Sequence, residues 1–580
     1  MLTLTGIISQ SYEVREPNLD GKVRCMNNTN VRTRTTDWHA INWRKTNRVV
    51  RGLRRRIFKA TIDGNWRKVR NLQRLMLRSY SNALLSVRKA TQDNEGRKTP
   101  GVDKVLIKTP QARGKMVDDL MKNQDWKPKP VRRVYIPKSN GKQRPLGIPT
   151  IGDRCRQAIV KNALEPCWEA QFEGISYGFR PGRCTHDAIG KIYNSTRPNG
   201  RKKWVLDADI KGCFNNINHE KLIEIIGNFP GKRLIREWLK AGYVDKNVFH
   251  AQTGGTPQGG IISPLLANIA LHGLEKHLGI KYNYRGESQG KRILVRYADD
   301  FVVLCETKED AECAKDETNQ WLSLRGLELS KEKTKILHIT EGFDYLGFNI
   351  RHYKASNTKT GYKLLIKPSK ELLRKTRQDI REIFLSHHGK PVSTLIGKIN
   401  PIIRGKANYM NKVVSSEIFV SLDNYLFTRQ KRYVNRIHPD KNKKWKDNKY
   451  WGRLNLQRPK AKWVFGDKTN GSYMLKFSWT NIERHPLIRK RSSPDNPELK
   501  EYWEKRKGKR DKDESQKLSK LNQKVAKKQD YKCPVCGESI FNDEPLHQHH
   551  IIPRCKGGKD EVKNLVWVHQ YCHQKIHYHT

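Results

Sequence analysis

The sequence predicts a multidomain α+β protein, and three observations carry that reading. The chain has 580 residues, several times the ~150 that one domain usually organises. Between about residues 130 and 350, short apolar strands, Gly/Pro turns and amphipathic helices alternate, as they do in a mixed α/β domain. Four of the 11 cysteines fall in the last 50 residues, among histidines, which sets off a small terminal module.

The charge balance narrows the partners. There are 115 Lys+Arg against 58 Asp+Glu, a formal net charge of +57. Self-repulsion on that scale opposes compaction unless a polyanion neutralises it, which points to nucleic acid. Such binding weakens steeply with salt as condensed counterions are released. A content of 14 Trp, 21 Tyr and 15 Phe supports real cores and argues against full disorder. No apolar run approaches the ~18 residues of a membrane span. The start, MLTLTGIISQ, lacks the basic region of a signal peptide. The cysteines do not form a secreted disulfide framework, and the seven between Cys25 and Cys313 are expected to be reduced, mostly buried thiols.

Taken in order, residues 1–40 are polar and patternless, and a poorly ordered leader is expected there. Residues 41–130 are basic and mainly helical, with Leu72, Leu75, Tyr80, Leu84 and Val87 approximating one apolar stripe and Arg and Lys on the remaining face. Residues 131–367 form the mixed α/β part. Residues 368–440 read as three helices. The first has Leu372, Leu373, Thr376, Ile380 and Phe384 on one face, the second contains Pro401 and is expected to kink there, and the third ends at Pro439. Residues 441–530 interleave Lys and Arg with Trp and are broken by Pro and Gly. That composition suits bases stacked on aromatics and phosphates held by cations, with a solvated linker as the alternative. Residues 531–580 form the terminal module.

The strongest chemistry lies in RILVRYADDFVVLC. Two apolar strands flank Asp299 and Asp300 as a hairpin whose turn presents both carboxylates. Adjacent anions at the end of a core hairpin call for a cation. WVLDADIKGCF places Val205, Asp207 and Asp209 on one strand face by the period-two rule. Asp209 beside Asp299 and Asp300 would converge oxygens suited to two Mg²⁺ ions, which stabilise both the attacking and the leaving oxygen of a phosphoryl displacement.

These residues resemble a known family. VRRVYIPKSNGKQRPLGIPTIGDRCRQAI, SYGFRPGRCTHDAI, VLDADIKGCFNNI, GTPQGGIISPLLANI, YADD, LELSKEKTKI, FDYLGFNI and NPIIRGKANY occur in the order found in group II intron-encoded reverse transcriptase–maturases. The likeness covers nearly everything after residue ~40. It implies a right-hand polymerase. Residues 41–130 would extend the fingers, 131–367 would be fingers and palm, 368–440 an α-helical thumb or maturase domain, and 441–530 a DNA-binding region. Asp209, Asp299 and Asp300, with the Ile210 carbonyl as an extra ligand, would bind the catalytic metals. Lys138 and Arg144 would neutralise the incoming triphosphate. Phe214 would exclude a ribose 2′-OH, Gln258 would lie near the nascent base pair, and Lys333 would protonate pyrophosphate, with a plain surface lysine as its alternative. Gly259 and Gly260 permit close backbone approach, and Ser263-Pro264 reads as cap and first turn of a helix. Asn215 departs from the family, where Asp is common.

In the terminal module, Cys533-x-x-Cys536 and His569-x-x-Cys572 offer four ligands for structural Zn²⁺, with Cys555 the rival to His569. His549-His550, Asn564, His573 and His577 resemble an HNH (ββα-metal) nuclease. The resemblance implies His550 as general base and His549, His573 and His577 as ligands of a divalent ion, Mg²⁺ or Mn²⁺. It implies Asn564 as the residue orienting the His550 loop. A zinc ribbon that only binds DNA is the alternative.

The whole implies a multifunctional mobile-element protein: RNA-directed DNA polymerase, maturase and second-strand endonuclease. Its expected partners are intron RNA, a double-stranded DNA target and dNTPs, with no membrane, as a monomer or homodimer on RNA. The expected location is the bacterial cytoplasm with the nucleoid, an organelle being the alternative. The rivals are a free-standing or defence-related reverse transcriptase, and a splicing cofactor with vestigial sites.

Overall fold

The computed structural model describes residues 35–578 except 123–124, 138–140, 142, 253, 257–258, 284–287, 457, 459, 517, 519 and 543. Residues 1–34 of the expected leader, including Cys25, lie outside the described residues. The stretch that follows is not leader-like: Trp38 is buried and meets Trp43 edge-on at 5.0 Å between ring centroids.

Four helices open the described chain: Trp43–Ile62, Trp66–Leu77, Tyr80–Arg88 and Pro110–Lys122. The side chains of Asn42, Asn65 and Ser79 each accept a backbone N–H of the first turn that follows, satisfying a donor the helix cannot. The Ser79 cap corrects the single apolar stripe. It starts a new helix and resets the phase, so Val69, Leu72 and Met76 are buried on one helix and Leu84 and Val87 on the next. Leu75 and Tyr80 are about half exposed. The helix Ile151–Gln171 is buried almost all round, as a core helix should be.

A four-stranded antiparallel sheet runs in the order Lys335–His338, Trp204–Asp209, Asp300–Cys305, Ile293–Tyr297. Val205, Leu206 and Phe301 through Cys305 are fully buried. The register places Asp209 directly opposite Asp300. Beside it, the hairpin Val131–Pro137/Gln143–Ile148 joins Tyr243–Asp245 in parallel.

The three later helices are Lys370–Ser386, Val392–Met410 and Ser416–Ile437. Thr376, Ile380 and Phe384 are buried as the spacing requires. Pro401 lies inside the second helix, which continues on both sides of it.

Residues 441–530 are folded against the preceding helices and so are not a solvated linker, and they carry both buried aromatics and exposed ones such as Trp445 and Trp463. Tyr450, Trp451, Phe465 and Phe477 are buried in one cluster with the preceding helices, and the Lys431 ammonium lies 4.3 Å from the Trp451 ring centroid. These four build a core because the segment has few aliphatic residues to do so. Asp187 accepts hydrogen bonds from the His485 ring (2.9 Å) and the Ile488 N–H (3.1 Å), fastening this segment to the palm side.

The terminal module pairs Leu546–His550 with Leu565–His569 and adds the helix Gln570–Tyr578. Its Cys533, Cys536, Ile540, Val568 and Cys572 share one core with Trp38, Trp43, Leu84 and Val87. Across that contact Arg88 donates to both Glu544 oxygens (3.0 and 2.9 Å), and Arg51 meets Glu538 at 2.7 Å. Among the described residues no helix is long and apolar enough to cross a membrane. Of the cysteines expected to be buried thiols, Cys155, Cys167, Cys213 and Cys305 are buried, Cys184 is half-buried and Cys313 is exposed.

Candidate active sites and metal centres

The turn Tyr297–Asp300 is held in a conformation that L residues seldom adopt. Ala298 has φ +60°, in the sparsely populated left-handed region. A buried network supports it. Arg296 donates to the Ala298 carbonyl and to Asn268 Oδ1, both at 3.2 Å, and Asn268 Nδ2 donates to the Gly178 carbonyl at 2.8 Å. The Tyr345 hydroxyl donates to the Asp300 carbonyl at 3.1 Å. Gly178 lies flat against the turn, where a Cβ would stand 2.4 Å from the Ala298 nitrogen. Gly178→Ala therefore has to displace the turn. The expected loss in kcat is about 10²-fold, the scale of an ångström-level misplacement, with KM for dNTP little changed in steady-state primer extension.

The carboxylates crowd one another. Burial foremost, then the charges of Asp299 and Asp209, pushes Asp300 up to about 7. Burial also raises Asp299, offset in part by Arg144, and pushes Asp207 up to about 6. Lys333 Nζ stands 2.5 Å from Asp209 Oδ2, and that hydrogen bond raises its own pKa. Ser330 N–H donates to the Asp209 carbonyl at 2.8 Å, so the loop carrying Lys333 is tied to the strand it serves. Lys333 is an exposed lysine, its side chain 63% accessible, that reaches the carboxylate site through this contact. Asp209 opposite Asp300, with the raised pKa values of Asp299 and Asp300, fits a site that needs a divalent cation to be fully ionised, although the three carboxylates are not gathered within 4.8 Å of one another as the ligands of the terminal module are.

Phe214 is buried on the short helix Cys213–Asn216, which follows Gly212 at φ +56°. Its carbonyl accepts the Thr256 N–H at 2.5 Å, so the glycine-rich loop backs it. Ile210 is buried and bridges to Leu329. A Cβ on Gly259 would stand 2.4 Å from the Gly147 carbonyl oxygen, the close approach expected there. Ser263 is the first residue of its helix and not its cap: Ile262 holds the cap position and Pro264 follows within the first turn. Lys138 and Gln258 lie outside the described residues. Sequence reasoning passed over Phe179, which is exposed at φ +59° with its ring 6.5 Å from that of Phe214. An aromatic set among turn residues in SYGFRPG was the available signal.

In the terminal module, one ligand atom from each of Cys533, Cys536, His569 and Cys572 lies within 4.8 Å of the others, and all four residues are buried. The His569 Nε2–H donates to the Ser539 carbonyl (3.1 Å), leaving Nδ1 facing the thiols, 3.3 Å from Cys536 Sγ. That outer hydrogen bond fixes the tautomer a metal-binding imidazole needs. Cys555 is exposed and outside the group. Three thiols and one imidazole at this spacing fit tetrahedral zinc.

A second group brings His549, His573 and His577 within the same distance. His573 and His577 are one helical turn apart, with Nε2 atoms 3.3 Å from each other. Burial and then the neighbouring imidazoles lower the pKa of His549 and His573, so both present neutral nitrogens suited to a metal. The His547 ring, 5.4 Å from that of His573, also faces this group and was not singled out from sequence. Asn564 accepts the Ile552 N–H (2.7 Å) and donates to the Ile552 and Lys559 carbonyls (3.0 Å each), closing the loop that follows His550. His550 Nε2 meets Asp560 at 2.6 Å.

The chain matches the N-terminal domain of reverse transcriptase over residues 38–120, the reverse transcriptase (RNA-dependent DNA polymerase) over 136–350, the group II intron maturase-specific domain over 373–451 and the HNH endonuclease over 533–579. Protein YkfC of Escherichia coli is 36% identical over 317 residues, covering 48% of this chain and 83% of YkfC. The group II intron-encoded protein LtrA of Lactococcus lactis is 34% identical over 354 residues, covering 50% of this chain and 59% of LtrA. A solved telomerase from Candida albicans aligns at 11% identity with a TM-score of 0.32, over 55% of this chain and 60% of that one, too distant to carry an argument. Reverse transcriptase, maturase and HNH endonuclease domains thus follow one another in a single polypeptide, and the chain belongs to the group II intron-encoded reverse transcriptase–maturases that carry an HNH endonuclease domain.

Proposed function

We propose that the protein copies RNA into DNA, binds and helps fold a group II intron RNA, and cuts the second strand of a double-stranded DNA target to prime that copying. The observation that carries the reading is the pairing of Asp209 opposite Asp300 at the end of a buried sheet, beside Asp299 and Lys333. In this reading Asp209, Asp299, Asp300 and the Ile210 carbonyl hold two Mg²⁺ ions. When bound, such ions lower the barrier to in-line phosphoryl displacement at the primer 3′-oxygen. Lys333 exchanges its contact with Asp209 for the leaving pyrophosphate and supplies a proton there. Arg144, on the hairpin facing Asp299, and Lys138 neutralise the triphosphate, and charge-assisted contacts suit that task. Phe214 closes the space beside the sugar, and Gln258 borders the new base pair.

In the module, Cys533, Cys536, His569 and Cys572 hold zinc, which supplies folding energy that so short a segment lacks. His549, His573 and His577 hold a divalent ion, Mg²⁺ or Mn²⁺. His550 takes the proton of the attacking water, and Asn564 keeps its loop in place. Residues 368–440 clamp template duplex and intron RNA, and residues 441–530 contact DNA. The reading extends to dNTPs as substrates, a monomer or homodimer on RNA, and a nucleoid-associated ribonucleoprotein in a bacterial cytoplasm or an organelle.

Sequencing the RNA that purifies with the tagged protein tests the maturase reading. One dominant, structured RNA containing this reading frame is expected; a heterogeneous population would favour the free-standing reverse transcriptase. His550→Ala is expected to slow second-strand cleavage by about 10²- to 10⁴-fold, the usual contribution of a positioned general base, and to leave primer extension unchanged. Unimpaired cleavage by that variant would remove His550 from the mechanism.

A further inference from the structure

The loop over residues 176–180 is held more firmly than a connection requires. The Tyr177 N–H donates to the Arg296 carbonyl (2.9 Å) and the Arg296 N–H to the Ile175 carbonyl (3.1 Å), so the loop is bonded to the strand that enters the catalytic turn. Arg180 holds the other end. It is buried, donates to both Glu169 carboxylate oxygens (2.9 and 3.0 Å), and donates again to the Glu173 and Ser176 carbonyls (2.6 and 2.8 Å). Between these anchors Gly178 lies against Ala298. Ser176, Tyr177, Gly178 and Arg180 are all buried, and Phe179 alone turns outward, 52% exposed.

Phenylalanine is a costly residue for that position. Its φ of +59° lies in the left-handed region, where a Cβ crowds the backbone and glycine is at ease. Half of its ring also meets water instead of a core. The fold recovers neither cost: glycine would relieve the first and a polar residue the second. Strain of this kind persists where the surroundings over-determine it, and it clusters at sites of function. The place is specific too. Phe179 follows the glycine that touches the turn bearing Asp299 and Asp300, and its ring stands edge-on to that of Phe214, 6.5 Å between centroids. Phe214 is only 7% exposed. If Phe214 closes the space beside the sugar, most of its ring lies behind the surface that a nucleotide meets, and the exposed ring beside it is Phe179.

We propose that Phe179 is a specificity-determining residue of the polymerase site: its ring packs against the sugar of the incoming nucleoside triphosphate at C2′, Phe214 backs it, and the two together reject a ribose 2′-hydroxyl. The proposal deepens the polymerase reading and rests on it. An apolar wall rejects a hydroxyl by leaving it without a hydrogen-bond partner, which discriminates by about 10²-fold. Most of that contact is lost when the exposed ring is removed.

The test is single-nucleotide incorporation by the full chain on a DNA primer and RNA template, with kcat/KM measured for a dNTP and for the rNTP of the same base. Phe179→Ala and Phe179→Gly are each expected to lower the dNTP-to-rNTP ratio at least about tenfold, and to raise kcat/KM for the rNTP itself. That gain separates a lost contact from a displaced turn, which would slow both nucleotides together. Phe179→Tyr keeps the ring and is expected to restore most of the discrimination. Phe179→Gly is expected to melt no lower than the parent, because glycine adopts this φ freely. A lowered melting temperature with an unchanged ratio would make Phe179 a structural residue and overturn the proposal, as would an equal loss for both nucleotides. Phe214→Val tests the reading beneath. Discrimination lost in that variant but kept in both Phe179 variants overturns the proposal alone. Discrimination kept in all three overturns the assignment of Phe214 along with it.

Discussion

Asp299→Ala is expected to yield a folded protein that extends a primer on an RNA template at least ~10³-fold more slowly than the parent, because electrostatic stabilisation of the reacting phosphate is lost. The fold should not suffer. Asp299 is one of three anions held together against their own repulsion, and its charge is among the causes that push Asp300 up to about 7. Removing it relieves that repulsion. The sign of the pH dependence follows from the same shift. A carboxyl whose folded pKa is raised favours the folded state when protonated, so the metal-free protein loses stability as pH rises from about 4, the ordinary value, towards 7. At neutral pH, Mg²⁺ should therefore raise the melting temperature of the parent, and less so that of Asp299→Ala. Thermal melts in Mg²⁺-free buffer without chelator, which would also strip the terminal module, give the comparison. Full polymerase activity in the variant would remove Asp299 from the metal site.

Cys572→Ser should have an equally large and separable effect. Metal binding by a four-ligand site of this kind supplies about 10–16 kcal/mol in small peptides, far more than a segment of this size obtains from its own core. Loss of a ligand is expected to abolish second-strand cleavage and to expose the amides of Leu546–His550 and Leu565–His569 to exchange. The disturbance should not stop there. Arg88 is buried, and its bidentate partner is Glu544 of the module. Removing one partner of a buried pair costs up to about 3–5 kcal/mol, and Arg88 would keep only Asp93, 3.7 Å away. Faster exchange is therefore expected in Tyr80–Arg88 as well. Primer extension on an added template should persist, because the carboxylate site lies on a different core. Retained cleavage in a zinc-free variant would rule out a structural metal.

Much of the site was legible before folding, where the code is local. Asp299 and Asp300 sit in a turn set by two apolar strands, and the alternation through Asp207 and Asp209 assigns a strand face. Cys533 and Cys536, and His569 and Cys572, carry their spacing within single short elements. Where the sequence reading failed, the deciding contact was not local. The stripe through Leu75 and Tyr80 broke because Ser79 caps a new helix and shifts its phase. The interleaving of Lys, Arg and Trp over 441–530 likewise could not tell Trp451, which packs on helices of the preceding segment, from Trp445 and Trp463, which stay exposed.

The sequence by itself determined the chemical inventory of this protein: a hairpin bearing two aspartates, a strand bearing a third, and paired ligands for two metal centres. Periodicity and spacing act over a few residues, and they fix which groups share a face. Only the tertiary structure decided His569 over Cys555, placed Lys333 against Asp209, set Arg296 and Gly178 beneath the strained turn, and packed the terminal module on the first helices. Those choices join residues far apart in the chain. In a polypeptide with 115 Lys and Arg, no local pattern distinguishes the cation that reaches a carboxylate from the many that face water; the topology does, by bringing one of them within 2.5 Å of Asp209.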